Sequence, residues 1–444
     1  MQNHKDLLQA HRLMTQRASL ALVCGEPDSP NQPLRRMNTA VIASILVGVI
    51  VAGVFGVLGL LAPGTVSGLT QPDTLVVDED TATPYVACDS GKLCPALNYA
   101  SALLALNSSS VSKVDVHQGS LARYSIGPVI GIAGLPQDLP TPADLVTGPW
   151  SVCAASGVST LVGGRSVGGT TMSTADAVLA TTARGGDWVL WNGERLTVNQ
   201  QVMLSLFPQA APVTVPAGWL DALPEGPDFV APAIVGQGHT VTGPSGAPAQ
   251  VGQVYTQSSP EQDFVLESNG QLATVSPVMA ALLEREPGFP GPKAIPASTA
   301  TAHLGTTPVP SGGLPVTLPR IAPTTSPLCV VYQAGLSHSL TTGGSVPSGG
   351  AATASGSGVD DVWLPPDHGA LVGAAPSLQQ PSAVTTWFLV TGTERFALSS
   401  SGVAAVLGYD LQASKSVLPA SVLELLPQGP VLNPAAATAK AAGG

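Results

Sequence analysis

The chain has 444 residues, a net charge of −11, 44% apolar residues and only 10% charged residues. This balance supplies material for a sizeable core and excludes the basic footprint that nucleic-acid binding requires. Gly and Pro, with 49 and 41 residues, form about a fifth of the chain, below the roughly 25–30% that is typical of disordered sequences. The composition therefore predicts a folded protein with many turns and short elements.

The first 38 residues predict a cytoplasmic tail that contains an amphipathic helix. Apolar residues recur at a spacing of three to four, and they share one helical face: Leu7, Ala10, Met14, Ala18 and Ala21. A helix of this kind lies on a membrane surface or packs against a partner protein. A solvated helix next to the membrane is the alternative interpretation.

Residues 39–62 predict a transmembrane helix. No charged residue occurs from Met37 to Pro72, and the apolar run Ala40–Ala62 is long enough to cross a bilayer. A buried core helix and a cleaved signal peptide are the alternatives. Core helices of this length usually have a polar face, and the apolar region of a signal peptide is shorter and lies nearer the start of a chain.

The charges on either side of this run predict its orientation. Arg35 and Arg36 directly precede it, whereas the first charges that follow are acidic, at Asp73, Asp78 and Glu79. The positive-inside rule places the N-terminal tail in the cytoplasm. We therefore expect a single-pass protein of the cytoplasmic membrane, in contact with the lipid bilayer, whose C-terminal domain is extracytoplasmic.

The cysteines beyond the apolar run fit an oxidising compartment. There are four of them, Cys88, Cys94, Cys153 and Cys329. An even number predicts two disulfides, and four cysteines allow three pairings. A short turn separates Cys88 from Cys94, which makes their local pairing plausible and would leave Cys153 with Cys329. A metal site is disfavoured because the sequence has neither a C-x-x-C motif nor a nearby histidine.

Two segments of the predicted outer domain resemble each other. Trp188–Pro227 and Trp387–Pro430 each begin with an apolar, strand-like run and end with an L-P-x-G-P turn. Phe264–Leu283 is similar to a truncated third copy, and Leu75–Pro140 to a fourth. These copies predict a repeat architecture. A shared strand-helix pattern without common origin is the alternative.

Cys153 and Cys329 lie in two segments between these copies, so a bridge between them would join one discontinuous core. We predict an α+β fold in which a single N-terminal transmembrane helix precedes an extracytoplasmic domain. That domain has a disulfide-braced, discontinuous, β-rich core and four small α/β repeat units. The predicted divisions are a cytoplasmic tail (1–38), a transmembrane helix (39–62), repeat 1 (63–145), a first core segment (146–185), repeat 2 (186–240), repeat 3 (241–312), a second core segment (313–378), repeat 4 (379–436) and a disordered tail (437–444).

Catalytic motifs are scarce. The sequence has no phosphate-cradling G-x-x-x-x-G-K-[ST] loop and no H-E-x-x-H motif. Gly164–Gly168 matches the G-x-S-x-G pattern around Ser166, but about half a match is expected by chance in so glycine-rich a chain. His368 follows Asp367 on a loop, and adjacency alone does not make a catalytic dyad. We predict no catalytic residue, no cofactor and no metal.

Several motifs occur in a fixed order along nearly the whole chain: His11–Met14, Ala21–Val23 and Pro33–Arg35 in the tail, then Leu121–Pro140, Trp150–Cys153, Leu328–Tyr332, Pro365–Val372 and Leu425–Pro430. Their number and order resemble those of the EccB family, a core membrane component of type VII (ESX) secretion systems in actinobacteria.

The resemblance implies a core with four repeats and a bond between Cys153 and Cys329. It also implies assembly with an EccC-type ATPase, EccD and EccE into a hexameric complex, and association with a mycosin protease. Cys24-Gly25 stands where the family usually has Arg-Arg. Cys88 and Cys94 are an addition to the family pattern.

We therefore expect a structural subunit of a secretion complex that is not an enzyme. A membrane-anchored module that binds the peptidoglycan of the cell wall is one alternative. A component with ATPase activity is another, since this activity has been ascribed to the family, although the sequence shows no nucleotide site.

Overall fold

The computed structural model describes residues 4–25, 33–61, 68–88, 91–354, 358–378, 380–413 and 416–441. The chain separates into two compact regions, Met1–Gly68 and Leu69–Gly444. The N-terminal region contains helices α1 (His4–Cys24) and α2 (Pro33–Leu61). All the strands lie in the C-terminal region, within the described residues.

The C-terminal region consists of short strands and short helices. In chain order the strands are β1 (Thr74–Asp78), β2 (Pro84–Cys88), β3 (Lys92–Pro95), β4 (Ser112–Val116), β5 (Trp150–Ala155), β6 (Val158–Gly163), β7 (Thr170–Thr171), β8 (Asp176–Thr181), β9 (Asp187–Trp191), β10 (Glu194–Thr197), β11 (Val213–Thr214), β12 (Thr240–Thr242), β13 (Pro248–Gln250), β14 (Val254–Ser258), β15 (Glu261–Leu266), β16 (Leu272–Val275), β17 (Lys293–Ala294), β18 (Arg320–Ile321), β19 (Leu328–Tyr332), β20 (His338–Thr342), β21 (Ala351–Ala352), β22 (Asp361–Trp363), β23 (Gly369–Ala375), β24 (Thr386–Thr391), β25 (Glu394–Ala397) and β26 (Val417–Pro419). The helices are α3 (Tyr99–Leu106), α4 (Gln118–Leu121), α5 (Gln200–Leu206), α6 (Ala217–Asp221), α7 (Pro277–Leu283), α8 (Ala297–Ala302), α9 (Gly402–Val406), α10 (Ala420–Glu424) and α11 (Pro434–Ala437), with 3-10 turns at Pro142–Asp144 and Ala334–Leu336.

A seven-stranded core sheet is assembled from two distant segments of the chain. Its strand order is β21-β22-β6-β5-β19-β20-β7. Strand β5 pairs with β6 and β19 pairs with β20 as antiparallel hairpins, and β5 and β19 pair with each other in the middle. The core is therefore discontinuous in sequence and antiparallel at its centre.

Four further sheets share one topology. Their strand orders are β3-β2-β1-β4, β10-β9-β8-β11, β16-β15-β14-β17 and β25-β24-β23-β26. In each, three antiparallel strands are followed by a helix and by a fourth strand that returns parallel to the first. A helix between parallel strands supplies the long crossover that such pairing needs. We call these repeat units 1 to 4, at residues 74–127, 176–226, 254–305 and 369–429.

Polar residues fix where the crossover helices begin in three of the units. Asn98 Oδ1 accepts a hydrogen bond from the Ser101 backbone N–H at 2.8 Å at the start of α3. Asn199 and Ser276 cap α5 and α7 in the same way. Such caps satisfy backbone donors that have no partner within the helix.

Two of the predicted boundaries divide sheets that the structure keeps together. Strand β8 lies within the predicted first core segment, but it pairs along its length with β9 of unit 2. Strand β23 lies within the predicted second core segment, but it pairs with β24 of unit 4. Both strands are continuous apolar runs, and such runs do not reveal which neighbouring sheet they join.

The prediction of a disordered tail at 437–444 is wrong for residues 437–441. Ala437 ends helix α11 and is fully buried, and Ala441 is 8% exposed. The tail is held to the segment that follows unit 1 by backbone hydrogen bonds from Gly131 N–H to Ala439 C=O and from Ala441 N–H to Val129 C=O. Small alanine side chains suit this close contact. Residues 442–444 lie outside the described residues.

The hydrophobic clusters show how the units pack around the core. Unit 2 and unit 4 both contact the core sheet through α6 and α10, and the Trp219 indole N–H donates to Val152 C=O at 2.9 Å. Unit 1 shares a cluster with unit 4, and unit 3 shares one with unit 2. The contacts therefore run in the order unit 1, unit 4, core, unit 2, unit 3.

Candidate functional site: an anchored scaffold

Helix α2 has the properties of a membrane span. Residues Met37–Val57 have a mean hydropathy of 2.7, and none is buried within the structure. Its large apolar side chains are exposed, with Ile45 at 62% and Phe55 at 71%. A surface of this kind is stable in lipid rather than in water. Among the described helices, α2 is the one that is long and apolar enough to cross a bilayer.

The predicted membrane-flanking residues Arg35 and Arg36 fall in the first turns of α2, and their side chains lie outside what the structure describes. Helix α1 contains the five residues of the predicted apolar face. None of the five is buried, and Leu7 at 60% and Met14 at 73% are the most exposed of the large ones. This face is therefore available for a contact outside the chain.

A disulfide joins the two halves of the core sheet. Cys153 on β5 lies directly opposite Cys329 on β19, with 4.0 Å between their Cα atoms. Both are essentially buried, and Val162 and Val167 pack around them. Because the bonded residues are 176 positions apart, this core disulfide closes a long loop of the chain, which includes units 2 and 3.

A second disulfide lies in unit 1, where Cys88 on β2 is bonded to Cys94 on β3. The glycine that closes the unit sits directly against it. A Cβ atom placed on Gly127 would lie 2.4 Å from Cys94 Sγ. This hairpin disulfide therefore fixes both the hairpin and the surface on which the closing turn rests.

One backbone contact closes every repeat unit. A residue on the third strand donates its N–H to a carbonyl of the segment that closes the unit. The C=O of the same third-strand residue accepts the N–H of a glycine that lies two residues after that carbonyl. Both hydrogen bonds are 2.8–3.0 Å long in all four units. The third-strand residue, the residue that supplies the carbonyl and the glycine are Leu93, Ser125 and Gly127 in unit 1, Arg195, Pro224 and Gly226 in unit 2, Leu272, His303 and Gly305 in unit 3, and Arg395, Pro427 and Gly429 in unit 4. The four units are thus copies in detail as well as in topology.

The third-strand residue of this closure is an arginine in units 2 and 4. Arg195 donates from Nη1 to Asp221 Oδ1 at 2.5 Å and to Leu220 C=O at 3.2 Å. Arg395 lies over the ring of Phe388, 5.2 Å from its centroid. Burial lowers the pKa of Arg395, and nearby Glu424 opposes this shift. The signal for this pair was visible in the sequence, because Glu-Arg precedes an apolar residue in both units.

The residues that were weighed as catalytic are not assembled into a site. Ser166 Oγ accepts the Gly168 N–H at 3.3 Å within its own loop, and the contact of His368 Nδ1 is with Pro366 C=O at 2.7 Å. Among the described residues, no group of three or more His, Cys, Asp or Glu side chains is placed to hold a metal ion. The features that the structure does show are packed hydrophobic clusters and two disulfides.

A single apolar helix followed by a disulfide-braced sheet and four copies of one unit defines a membrane-anchored scaffold. The sequence model of the family described as "Type VII secretion system ESX-1, transport TM domain B" matches residues 2–443. The chain therefore belongs to the EccB family of type VII secretion proteins, as its motifs predicted.

Curated relatives and solved structures agree with this assignment. The chain is 27% identical to the "ESX-5 secretion system ATPase EccB5" of Mycobacterium tuberculosis (strain CDC 1551 / Oshkosh), over 95% of this chain and 90% of the relative. Identity with the protein of the same name from Mycobacterium marinum is 28%, with the same coverage.

The fold is similar to that of chains in solved structures of ESX complexes. A chain of the "intact ESX-5 inner membrane complex" matches with a TM-score of 0.62 and 24% identity, over 100% of this chain and 96% of the other. A chain from the "EccB3 dimer from the ESX-3 core complex" gives a TM-score of 0.64 and 23% identity, over 82% and 99%. The predicted fold class, with its anchor, disulfides and α/β units, is confirmed.

Proposed function

We propose that this chain is a structural subunit of the inner-membrane complex of a type VII secretion system and that it organises the extracytoplasmic side of that complex. The observation that carries the proposal is the family match over residues 2–443. The arrangement of one exposed apolar helix and a braced, multi-unit domain suits a subunit that links a bilayer to a large assembly.

The partners follow from the family. They are an EccC-type ATPase, EccD, EccE and a mycosin protease, together with further copies of this chain in a hexameric assembly. Similar chains come from an ESX-5 inner membrane complex and an EccB3 dimer. In this arrangement, residues 1–38 lie in the cytoplasm, where the exposed face of α1 meets a partner or the lipid surface.

The role we propose is not enzymatic. ATP hydrolysis is the second candidate, because the relatives carry "ATPase" in their names. The sequence lacks the phosphate-cradling loop motif. The disulfides and the closure hydrogen bonds described above hold strands and repeat units together. Measurement of ATP turnover by the purified full-length chain separates the two candidates. Turnover that persists through repurification and falls when single residues of the chain are substituted would establish the enzyme.

Both disulfides belong to the proposal. An exported domain is exposed to an oxidising compartment, and each pair is within bonding distance. Intact-mass analysis after alkylation in denaturant, without reductant, should find the four extracytoplasmic cysteines unalkylated because each lies in a disulfide. Alkylation of Cys153 under these conditions would contradict the braced core.

Size fractionation of solubilised membranes tests the structural role. We expect the chain in a particle far larger than its own mass of 44.6 kDa. A variant that lacks residues 1–25 but keeps α2 should remain in the membrane fraction and leave the large particle if the tail binds cytoplasmic partners. Migration of the intact chain as a monomer would contradict the proposal.

A further inference from the structure

A cleft of about 500 Å3 opens where the segment after unit 1, the core sheet and unit 4 meet. Its walls are the loop that follows unit 1, at 138–144, and the loop before β23 with the first hairpin turn of unit 4, at 365–368 and 391–392. We propose that this cleft binds an extended, basic segment of a partner protein.

The floor of the cleft is apolar and is formed by one face of the last two strands of the core sheet. Ala351 on β21 and Val362 on β22 line it, with Gly349 shortly before β21 and Leu364 directly after β22. Ala351 lies opposite Val362 in the register, and residues that pair directly across two strands point to the same face. Gly349 has no side chain and Ala351 has only a methyl group, which leaves the space, whose size is typical of ligand pockets.

The rim of the cleft is acidic. Asp138 and Asp144 lie on one side and Asp367 on the other, and the described residues that line the cleft include no lysine or arginine. Asp144 is held in place because its Oδ2 accepts the Thr141 hydroxyl at 2.5 Å. An acidic rim over an apolar floor complements Lys and Arg, whose aliphatic stems bury while their charged ends stay at the rim.

His368 adds an acceptor to this rim. Its Nδ1 lies 2.7 Å from Pro366 C=O, and a carbonyl can only accept, so Nδ1 carries the proton in the neutral ring. Nε2 is then left as an acceptor. The aspartates and this nitrogen all suit a ligand that donates hydrogen bonds, as ammonium and guanidinium groups do.

The sheet edge beside the cleft favours an extended ligand. Strand β21 is the terminal strand of the core sheet in the described structure. Thr353 N–H donates to Asp360 C=O at 2.8 Å, so Thr353 directs its N–H toward the partner strand. In an antiparallel ladder the next residue, Ala352, directs its backbone groups away from the partner strand. An added strand can pair with an edge of this kind.

Asp367 provides a variant that separates binding from folding. It has a φ of 60°, a left-handed conformation that glycine adopts without steric cost. Asp367→Gly therefore removes a rim carboxylate while it relaxes the backbone. We expect weaker binding of a basic ligand without loss of thermal stability.

The test uses the full-length chain in nanodiscs of uncharged, zwitterionic lipid and a fluorescein-labelled peptide of five Arg-Val pairs. Fluorescence anisotropy should show saturable binding, and a Glu-Val peptide of equal length should not bind. Ala351→Trp fills the floor, whereas Ala297→Trp, at an exposed alanine of α8 in unit 3 that does not line the cleft, is the matched control. We expect the first to weaken binding by about tenfold or more and the second to leave it unchanged.

A second comparison tests the role of charge. It sets Asp367→Gly beside Asp115→Asn, which removes an exposed carboxylate on β4 that is paired with Lys113. Only the cleft variant should weaken binding. Equal affinities for the Trp variants, equal affinities for the two charge variants, or no saturable binding of the Arg-Val peptide by the wild-type chain would each overturn the proposal. Binding at the cleft does not depend on the type VII assignment, so its failure leaves that assignment intact.

Discussion

The closing glycine of unit 4 leaves no space for a side chain. A Cβ atom on Gly429 would lie 2.2 Å from Cε1 of Phe396 and 2.6 Å from its Cδ1. Phe396 is a buried aromatic ring that is 3% exposed, so it cannot swing aside as a flexible chain end would. Overpacking of this kind costs about 1–3 kcal/mol. We predict that Gly429→Ala destabilises the closure of unit 4 by that amount.

Unit 3 supplies the matched control. Gly305 occupies the equivalent position, but there the nearest atom to an added Cβ is Leu272 O at 3.4 Å, an ordinary contact. Gly305→Ala should therefore change stability by no more than about 0.5 kcal/mol. The double variant Gly429→Ala/Phe396→Leu replaces the ring by a smaller side chain, and it should recover some of the lost stability.

Hydrogen exchange measures this effect locally. The Arg395 N–H bonds to Pro427 C=O, and the Gly429 N–H bonds to Arg395 C=O. In Gly429→Ala, peptides that contain these amides should exchange roughly 10- to 100-fold faster, since each 1.4 kcal/mol corresponds to a factor of ten. Equal acceleration in Gly305→Ala, or none in Gly429→Ala, would refute the steric reasoning.

Two further predictions concern the disulfides and two partly buried carboxyl groups of the outer domain. Replacing both cysteines of the core disulfide by alanine should lower stability by about 5 kcal/mol, against about 2 kcal/mol for the hairpin disulfide, because the bonded residues are 176 and 6 positions apart. Urea unfolding followed by tryptophan fluorescence checks the ranking, and a larger loss for the hairpin pair would contradict it. In unit 3, burial raises the pKa values of Asp263 and Glu284. The folded state then holds these protons more tightly than the unfolded chain, so unit 3 gains stability as the pH falls through the raised pKa values. Hydrogen exchange of unit 3, corrected for intrinsic rates, should slow from pH 7 to pH 5, and Asp263→Asn should reduce this change. Faster corrected exchange at pH 5 in the wild-type chain would contradict the sign.

Much of the architecture was readable because strong local signals carried it. The apolar run that predicted residues 39–62 as a span contains Met37–Val57 almost entirely. The two closing turns with L-P-x-G-P revealed units 2 and 4, since Pro and Gly mark turns directly. The two core segments were predicted because each carries a cysteine, and those cysteines lie on strands β5 and β19.

The features that were missed depend on pairing between distant segments. The apolar strands β8 and β23 could join either neighbouring sheet, and only register decides between them. The closure of unit 3 at Gly305 lacks the Gly-Pro signal, since Thr306 follows the glycine. The alanine-rich C-terminal tail has no large apolar side chain, yet Ala437 and Ala441 are buried. Surface clefts between units are equally invisible to local patterns.

The central claim is that this chain works as a structural subunit of a multi-subunit membrane complex. Affinity purification of the full-length chain from its native membranes, after mild cross-linking and with identification of all recovered proteins, tests it most directly. We predict recovery of an FtsK-like ATPase and a multispanning membrane protein in fixed ratio to this chain. Recovery of this chain alone, in a preparation that hydrolyses ATP, would contradict the claim.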